Sequence, residues 1–360
     1  MNTLKFHSDV LTSTNRYSSK LVLPDYPYDA DGKFDRSVAL DTMLREEYGY
    51  VNKNGVEIST EVKEVLEKQF AGKCKHTTLL FTLTKDSESS SFPVHVFQPY
   101  TTEDVPMVVE LNFVPELPNK YFPIEELMDR KIAVAHICYQ DVTSDDGDFS
   151  NGIAKLLTDR SDPHAAGKIA LWAYAAQLVA TYLLENKYTT EDYLYVAGHS
   201  RLGKTALLAA AQDTRFCGVL TNCSGCSGAA ISREKTGETI EDICRRFPYW
   251  FATSYHQYAN HENDQPFDQH YMMALIAPRK LCVVTAEEDL WADTDAQYLC
   301  AEAADVVYQS MGVEGLHRKN GMLQQGDSTI EGLIAFSKRA GTHFFSRDDW
   351  NFFIDFIKSK

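Results

Sequence analysis

Apolar residues recur along this chain with two periods, and their order predicts the architecture. Residues 76–84 and 92–98 alternate apolar and polar positions on either side of a turn-rich stretch at 86–91, which predicts an antiparallel hairpin. Short apolar runs at 107–113, 131–138, 193–196, 217–222 and 280–285 read as further strands. Helical stretches lie between them at 123–129, 165–184, 205–212 and 295–311, and a last helix follows Asp348 and ends at Ile357. Strands separated by helices argue for an α/β protein whose mostly parallel sheet is preceded by an antiparallel N-terminal hairpin.

The flanks are less regular. Residues 1–70 are polar and rich in aromatics, and 37–48 and 57–72 read as short helices, the second with Val62, Val65, Leu66 and Phe70 as its apolar positions. Residues 1–75 carry no evident chemistry and are expected to pack as a lead-in on the sheet, over one edge. Residues 231–258 combine helical pieces with many rings, so a cap-like insertion over about 229–270 is expected beside the site. The whole of 1–360 reads as a single domain.

One stretch carries the chemistry: Val196-Ala197-Gly198-His199-Ser200-Arg201-Leu202-Gly203-Lys204. It joins a strand to an Ala/Leu-rich helix through a sharp turn, with Ser200 at the tip and the helix N-terminus beneath it. The pattern G-x-S-x-G is met on one side only. Leu202 fills the second glycine's place, and Gly203 comes one residue late. An ordinary strand-to-helix turn with a serine cap is the plainer alternative, so a base, an acid and an oxyanion site are needed elsewhere.

Chain order supplies candidates. Hydrolases of this class run Ser, then Asp or Glu, then His, each on a loop after a strand. Glu287, Glu288 and Asp289 follow the strand at 280–285, and His343 sits in a Gly-Thr-His loop before the last helix. His164, His199, His256, His261 and His270 lack either the order or the loop context. Asp289 is the preferred acid, as the last acidic residue before Leu290-Trp291, with Glu288 the alternative acid. Asp293 lies too far along unless its loop folds back. The backbone N–H of Arg201 is the expected oxyanion donor, with its guanidinium a second. Lys204 stands one helical turn past Ser200. Two cations around a nucleophile suggest a uronic acid or its ester as substrate, and Trp291 offers a face for a sugar ring.

Charge and composition exclude several partners. A net charge of −16 repels phosphate backbones and anionic lipid, so neither nucleic acid nor a membrane is expected as a partner. No window approaches ~20 uninterrupted apolar residues. Met1 to Asp9 lacks the basic start and apolar core of a signal peptide, which predicts a cytoplasmic location, or secretion if a leader had been removed. The eight cysteines are scattered, several in apolar runs, and suit a reducing compartment. Cys223 and Cys226 have C-x-x-C spacing without a second pair, so no metal is expected there. Asp145-Asp146-Gly147-Asp148 lacks the glutamate of a calcium loop and reads as a solvated turn.

The elbow Gly198-His199-Ser200-Arg201-Leu202-Gly203-Lys204 resembles that of the glucuronoyl esterases, carbohydrate esterase family 15. Leu111-Asn112-Phe113, Phe267-Asp268-Gln269-His270, Ala274-Leu275-Ile276-Ala277-Pro278-Arg279 and Asp289-Leu290-Trp291-Ala292-Asp293 share the resemblance, which runs from about residue 90 to the end. It implies an α/β-hydrolase fold, a three-layer αβα sandwich, and a serine esterase without metal or cofactor that cleaves esters of 4-O-methyl-glucuronate type. By matching position, Ser200 is the nucleophile, His343 the base, Arg201 an oxyanion donor, and Lys204 and Trp291 sugar contacts. Many members carry the acid as a glutamate just before the Ser-Gly run, where this chain has Cys223. Some bacterial members use the later loop, and Asp289 matches that place.

The expected activity is therefore hydrolysis of a small-molecule or oligosaccharide uronate ester through a Ser-His-Asp triad and an acyl-enzyme. The alternatives are a carbohydrate acetyl esterase or other small-acyl esterase and, from another class, a non-catalytic carbohydrate-binding relative, which the cysteine at 223 would suit.

Overall fold

The computed structural model describes residues 21–318 and 323–359; the reading of Met1 to Asp9 falls outside them. Ten strands form one sheet in the order β1-β2-β3-β5-β4-β6-β7-β8-β10-β9. They are β1 (Glu57–Lys68), β2 (Cys74–Lys85), β3 (Glu88–Pro99), β4 (Met107–Asn112), β5 (Ala133–Cys138), β6 (Leu194–His199), β7 (Gly218–Asn222), β8 (Lys280–Ala286), β9 (Ser328–Thr329) and β10 (Ile334–Arg339). From β5 to β10 neighbouring strands run parallel, whereas β1, β2, β3 and β5 pair antiparallel. The mostly parallel sheet with an antiparallel N-terminal part is thus present.

The central strands read as continuous apolar runs because both faces are covered. Val109, Val196, Val219 and Val283 enter one core, while their neighbours Val108, Ala197, Leu220 and Val284 enter another. The first core is closed by α1 (Lys168–Glu185), α2 (Arg201–Gln212) and α3 (Thr294–Ser310), with Trp172, Leu207 and Leu299 among the buried side chains. The second is closed by the short helix Ile124–Asp129 and by α4 (Arg347–Lys358), through Leu127, Trp350 and Phe353. Helices on both faces of one sheet make the three layers.

Two expectations about the lead-in are corrected. Residues 57–68 are an edge strand, not a helix. Their register against β2 shifts between Val62 and Glu64, and this bulge breaks the period-two alternation. Val62 and Val65 are left three apart, which imitates helical spacing, while Ile58 and Thr60 carry the β propensity. The second correction concerns residues 21–50, which pack on the cap and on the first core's helices, away from the sheet edge. Tyr26 Oη donates to Ala303 O (2.9 Å), Tyr48 Oη to Ser227 O (2.9 Å), and Ala252 N to Glu47 O (2.8 Å). β10 was also missed, because Ser337, Lys338 and Arg339 hide its period. Lys338 is buried there with Glu287 (2.7 Å) and Asp295 (3.3 Å) as partners.

Glu47, at the seam between lead-in and cap, is fully buried, and Gln269 Nε2 donates to its carboxyl oxygens (2.8 and 3.1 Å). Burial pushes its pKa from 4.5 up to about 8, against the bonds from Gln269 and Ser227 and the attraction of Lys204. A carboxyl with a raised folded pKa stabilises the fold below its unfolded value and loses that contribution as pH rises through the folded one. The window is therefore pH 4.5 to 8, with a slope of at most about 1.4 kcal/mol per pH unit. Glu47→Gln is expected to flatten this loss. Melts at pH 6 and pH 9 should show a smaller drop in Tm for the variant, and equal drops would contradict it.

Candidate active site

β6 ends at His199, and Ser200 takes φ 58° and ψ −127° before α2 begins at Arg201. This strained geometry lifts the hydroxyl out of the sheet, and Ser200 N–H is fixed by Asn222 O (2.8 Å). A Cβ on Gly198 would stand 2.1 Å from Leu202 O, so only glycine fits. A Cβ on Gly203 would come within 3.0 Å of both Thr221 Oγ1 and Ser224 Cβ. The late glycine therefore serves the contact between α2 and β7, and Leu202 is free to fill the first core.

The base and acid candidates meet. His343 Nδ1 lies 2.6 Å from Asp289 Oδ2, a donor–acceptor distance for a charge-assisted bond. Burial by itself would raise the Asp289 pKa. The bond and charge of His343, with the Ala292 N–H and the Cys223 thiol, outweigh it and hold the carboxyl below its usual value. Glu288 is exposed, its N–H bound to Gly341 O (3.0 Å), and Glu287 pairs with Lys338. Asp293 caps α3 and accepts from Thr236 N (2.7 Å). Under His343 lies His199, with ring centroids 4.5 Å apart. Burial, then the neighbouring His343, lower the His199 pKa to about 3, so it stays neutral as packing support.

Arg339 was not singled out from sequence. It closes β10, pairs through Nε with Asp349 (2.6 Å), and donates to the carbonyls of Ala340 (2.8 Å), Thr342 (3.3 Å) and Phe344. These bonds wrap the loop that carries His343 around one guanidinium. A lone arginine at a strand end gives no sequence signal of such a clamp.

Ser200, Arg201, Lys204, Cys223, Glu238, Arg246, Trp250, Trp291 and His343 line one cleft enclosing about 550 Å³, its open mouth included. The sequence expectations for its cations need adjustment. Lys204 is buried, and its three N–H donors are taken by Ser224 O (2.6 Å), Cys226 O and Glu238 Oε2 (3.3 Å). It is a strut of the wall, not a free ammonium. Glu238 links that strut to the Trp291 indole, whose Nε1 donates to Glu238 Oε1 (3.2 Å). Trp291 is 41% exposed, with the Arg246 guanidinium 4.9 Å over its ring. Glu238 was missed because it lies in the cap, where no local motif marks it.

The Arg201 guanidinium is held by Asp145, so that residue is no mere solvated turn. Cys223 is buried at the end of β7, and burial, then Asp289 and Asp349, raise its thiol well above the usual range. The ligand atoms of Cys223, Asp289 and His343 lie within 4.8 Å of one another, the spacing of a metal site. Here they are engaged with each other, as His343 with Asp289 and the thiol with the same carboxylate. Cys226, the other half of the C-x-x-C pair, is a free buried thiol.

The family model described as "Glucuronyl esterase, fungi" matches residues 81–312. A carbohydrate esterase, MZ0003, of an unknown prokaryotic organism is 38% identical over 237 residues, covering 65% of this chain and 54% of that protein. A 4-O-methyl-glucuronoyl methylesterase of Hypocrea jecorina (strain QM6a) is 32% identical over 174 residues, 46% of this chain and 37% of that one. The matched stretches thus span about half, or less, of these curated relatives' length. A glucuronoyl esterase structure from Solibacter usitatus superposes with a TM-score of 0.85 at 27% identity, covering 94% of this chain and 97% of that one. A promiscuous CE15 esterase from a marine bacterial metagenome gives 0.82 at 28%, covering 93% and 97%. With its family model matched over residues 81–312 of 360, the chain belongs to the glucuronoyl esterase family.

Proposed function

We propose that this protein is a serine esterase that hydrolyses carboxylic esters of a uronic acid. The observation that carries the reading is that His343, bonded to Asp289, lines the same cleft as Ser200 at the elbow tip. Ser200 Oγ attacks the ester carbonyl while His343 Nε2 takes its proton, and Asp289 holds the imidazole in the required tautomer. Negative charge then develops on the carbonyl oxygen. The N–H of Arg201, which opens α2 and so lacks an intrahelical acceptor, and the adjacent guanidinium are its donors. His343 returns the proton to the leaving alcohol, and water releases the uronate by the same steps in reverse order.

The uronic acid class is supported by the wall opposite. Glu238, oriented by Lys204, offers a carboxylate to sugar hydroxyls, and Trp291 offers a half-exposed ring face. The names of relatives point the same way: 4-O-methyl-glucuronoyl methylesterase. Benzyl glucuronate and benzyl acetate, which share their leaving alcohol, separate this reading from a small-acyl esterase. The expected kcat/KM ratio favours the glucuronate by about 10⁴-fold or more, the scale on which a site built to hydrogen-bond hydroxyls rejects an analogue without them. A preference for the acetyl ester would replace this reading with the acetyl-esterase one.

A further inference from the structure

We infer that Asp145 is a positioning residue for ester cleavage, which holds the Arg201 guanidinium in place beside the nucleophile. The inference rests on the reading of Arg201 as an oxyanion donor. Asp145 Oδ2 accepts from Arg201 Nη1 and from Tyr139 Oη (2.9 Å), and Oδ1 accepts from Trp250 Nε1 (2.8 Å). Its backbone carbonyl accepts from Tyr249 Oη (3.0 Å). The side chain is 9% exposed, so it is a built part of the site, although its sequence context is that of a surface turn.

The guanidinium it grips is also stacked. Its carbon lies 4.7 Å over the Trp250 ring and 5.4 Å over the Phe247 ring, both from the cap. The Arg201 Nε is buried without a protein partner, so Asp145 engages one end of the fork and leaves a donor over. The loop itself is anchored from below. Lys168 Nζ, fully buried on α1, donates to Thr143 Oγ1 (2.9 Å) and Asp148 O (2.6 Å). Elbow, cap and loop therefore meet at one arginine.

The physical need is clear. An arginine side chain has many rotamers to lose when it is fixed. A donor stabilises a developing oxyanion only if it is aimed before the charge appears. Asp145 and the two rings restrict the guanidinium in advance, and Trp250 couples that restraint to the seating of the cap.

Steady-state kinetics on benzyl glucuronate test this with Asp145→Asn, Arg201→Ala and the double variant. Asp145→Asn is expected to lower kcat about 30- to 100-fold, somewhat less than loss of an oxyanion donor, with KM changed less than about 3-fold. In the Arg201→Ala background the same change should alter kcat less than about 2-fold, because Asp145 acts through Arg201. Independent, multiplying losses would make Asp145 a structural residue and overturn the proposal. So would Asp145→Asn at wild-type kcat beside a damaged Arg201→Ala. Arg201→Ala at wild-type kcat would instead sink the oxyanion reading on which the proposal stands. Trp250→Phe keeps the ring and deletes one donor to Asp145. It is expected to lower kcat in the wild-type background and leave it unchanged beside Arg201→Ala, which decides the matter should Asp145→Asn fail to fold.

Discussion

Ser200→Ala is expected to lower kcat on benzyl glucuronate by at least about 10⁴-fold, to the level left by the oxyanion site and binding alone. The hydroxyl is held at φ 58° at the elbow tip, where no neighbouring group can take its place. Arg201 cannot act as a nucleophile, Lys204 is tied to three acceptors, and the Cys223 thiol is held protonated by burial. Ser200 bonds through its backbone N–H to Asn222 and through its carbonyl to Gly203 and Lys204, all of which alanine retains, so the elbow should stay folded. Trp291 and Glu238 are untouched as well, and the ester should still bind with a similar Kd. A fluorophosphonate probe should label the wild type at Ser200 and leave the variant unmarked. Activity within about 10-fold of wild type in the variant would refute the covalent mechanism, and binding without turnover in the wild type would favour a non-catalytic relative.

Much of the frame was legible because its cause is local. Buried parallel strands must be apolar on both faces, so β4 to β8 stand out as short runs, and α1 and α3 stand out by period and length. Ser200, Asp289 and His343 were legible for a related reason: each follows a strand, and their order survives in one dimension. What failed was information held by partners distant in sequence. The bulge in β1 is defined by its register on β2, and the polar half of β10 is tolerated because Glu287 and Asp295 neutralise Lys338. Asp145 looked like a turn residue because its partners, Arg201 and Trp250, lie 56 and 105 positions away. Lys204 looked like a free cation because Glu238 and the carbonyls that bind it come from the cap and the loop after β7.

Asp289 was the preferred acid from sequence with Glu288 the alternative, and the bond between His343 and Asp289 favours the first, which predicts a second large effect. Asp289→Asn is expected to lower kcat by about 10³- to 10⁴-fold, because an amide nitrogen facing His343 Nδ1 forces the proton onto Nε2, where it blocks acceptance of the serine proton. Glu288→Gln should stay within about 3-fold of wild type, since an exposed side chain has little to lose. Cys223 then offers a test by restoration. It directly follows β7 with φ 47°, lines the cleft, and its sulfur lies within 4.8 Å of the ligand atoms of both His343 and Asp289. A glutamate there reaches further than the thiol and can accept from His343 Nδ1 from the other side. Cys223→Glu added to Asp289→Asn is therefore expected to recover kcat by about 10-fold or more, whereas Cys223→Glu alone places two carboxylates together and should lower activity. The reverse pattern, a mild Asp289→Asn and a severe Glu288→Gln, would transfer the acid's role to Glu288. Because the imidazole needs only one correctly placed acceptor, recovery from a different strand would locate the requirement in geometry at His343, not in the identity of the loop that meets it.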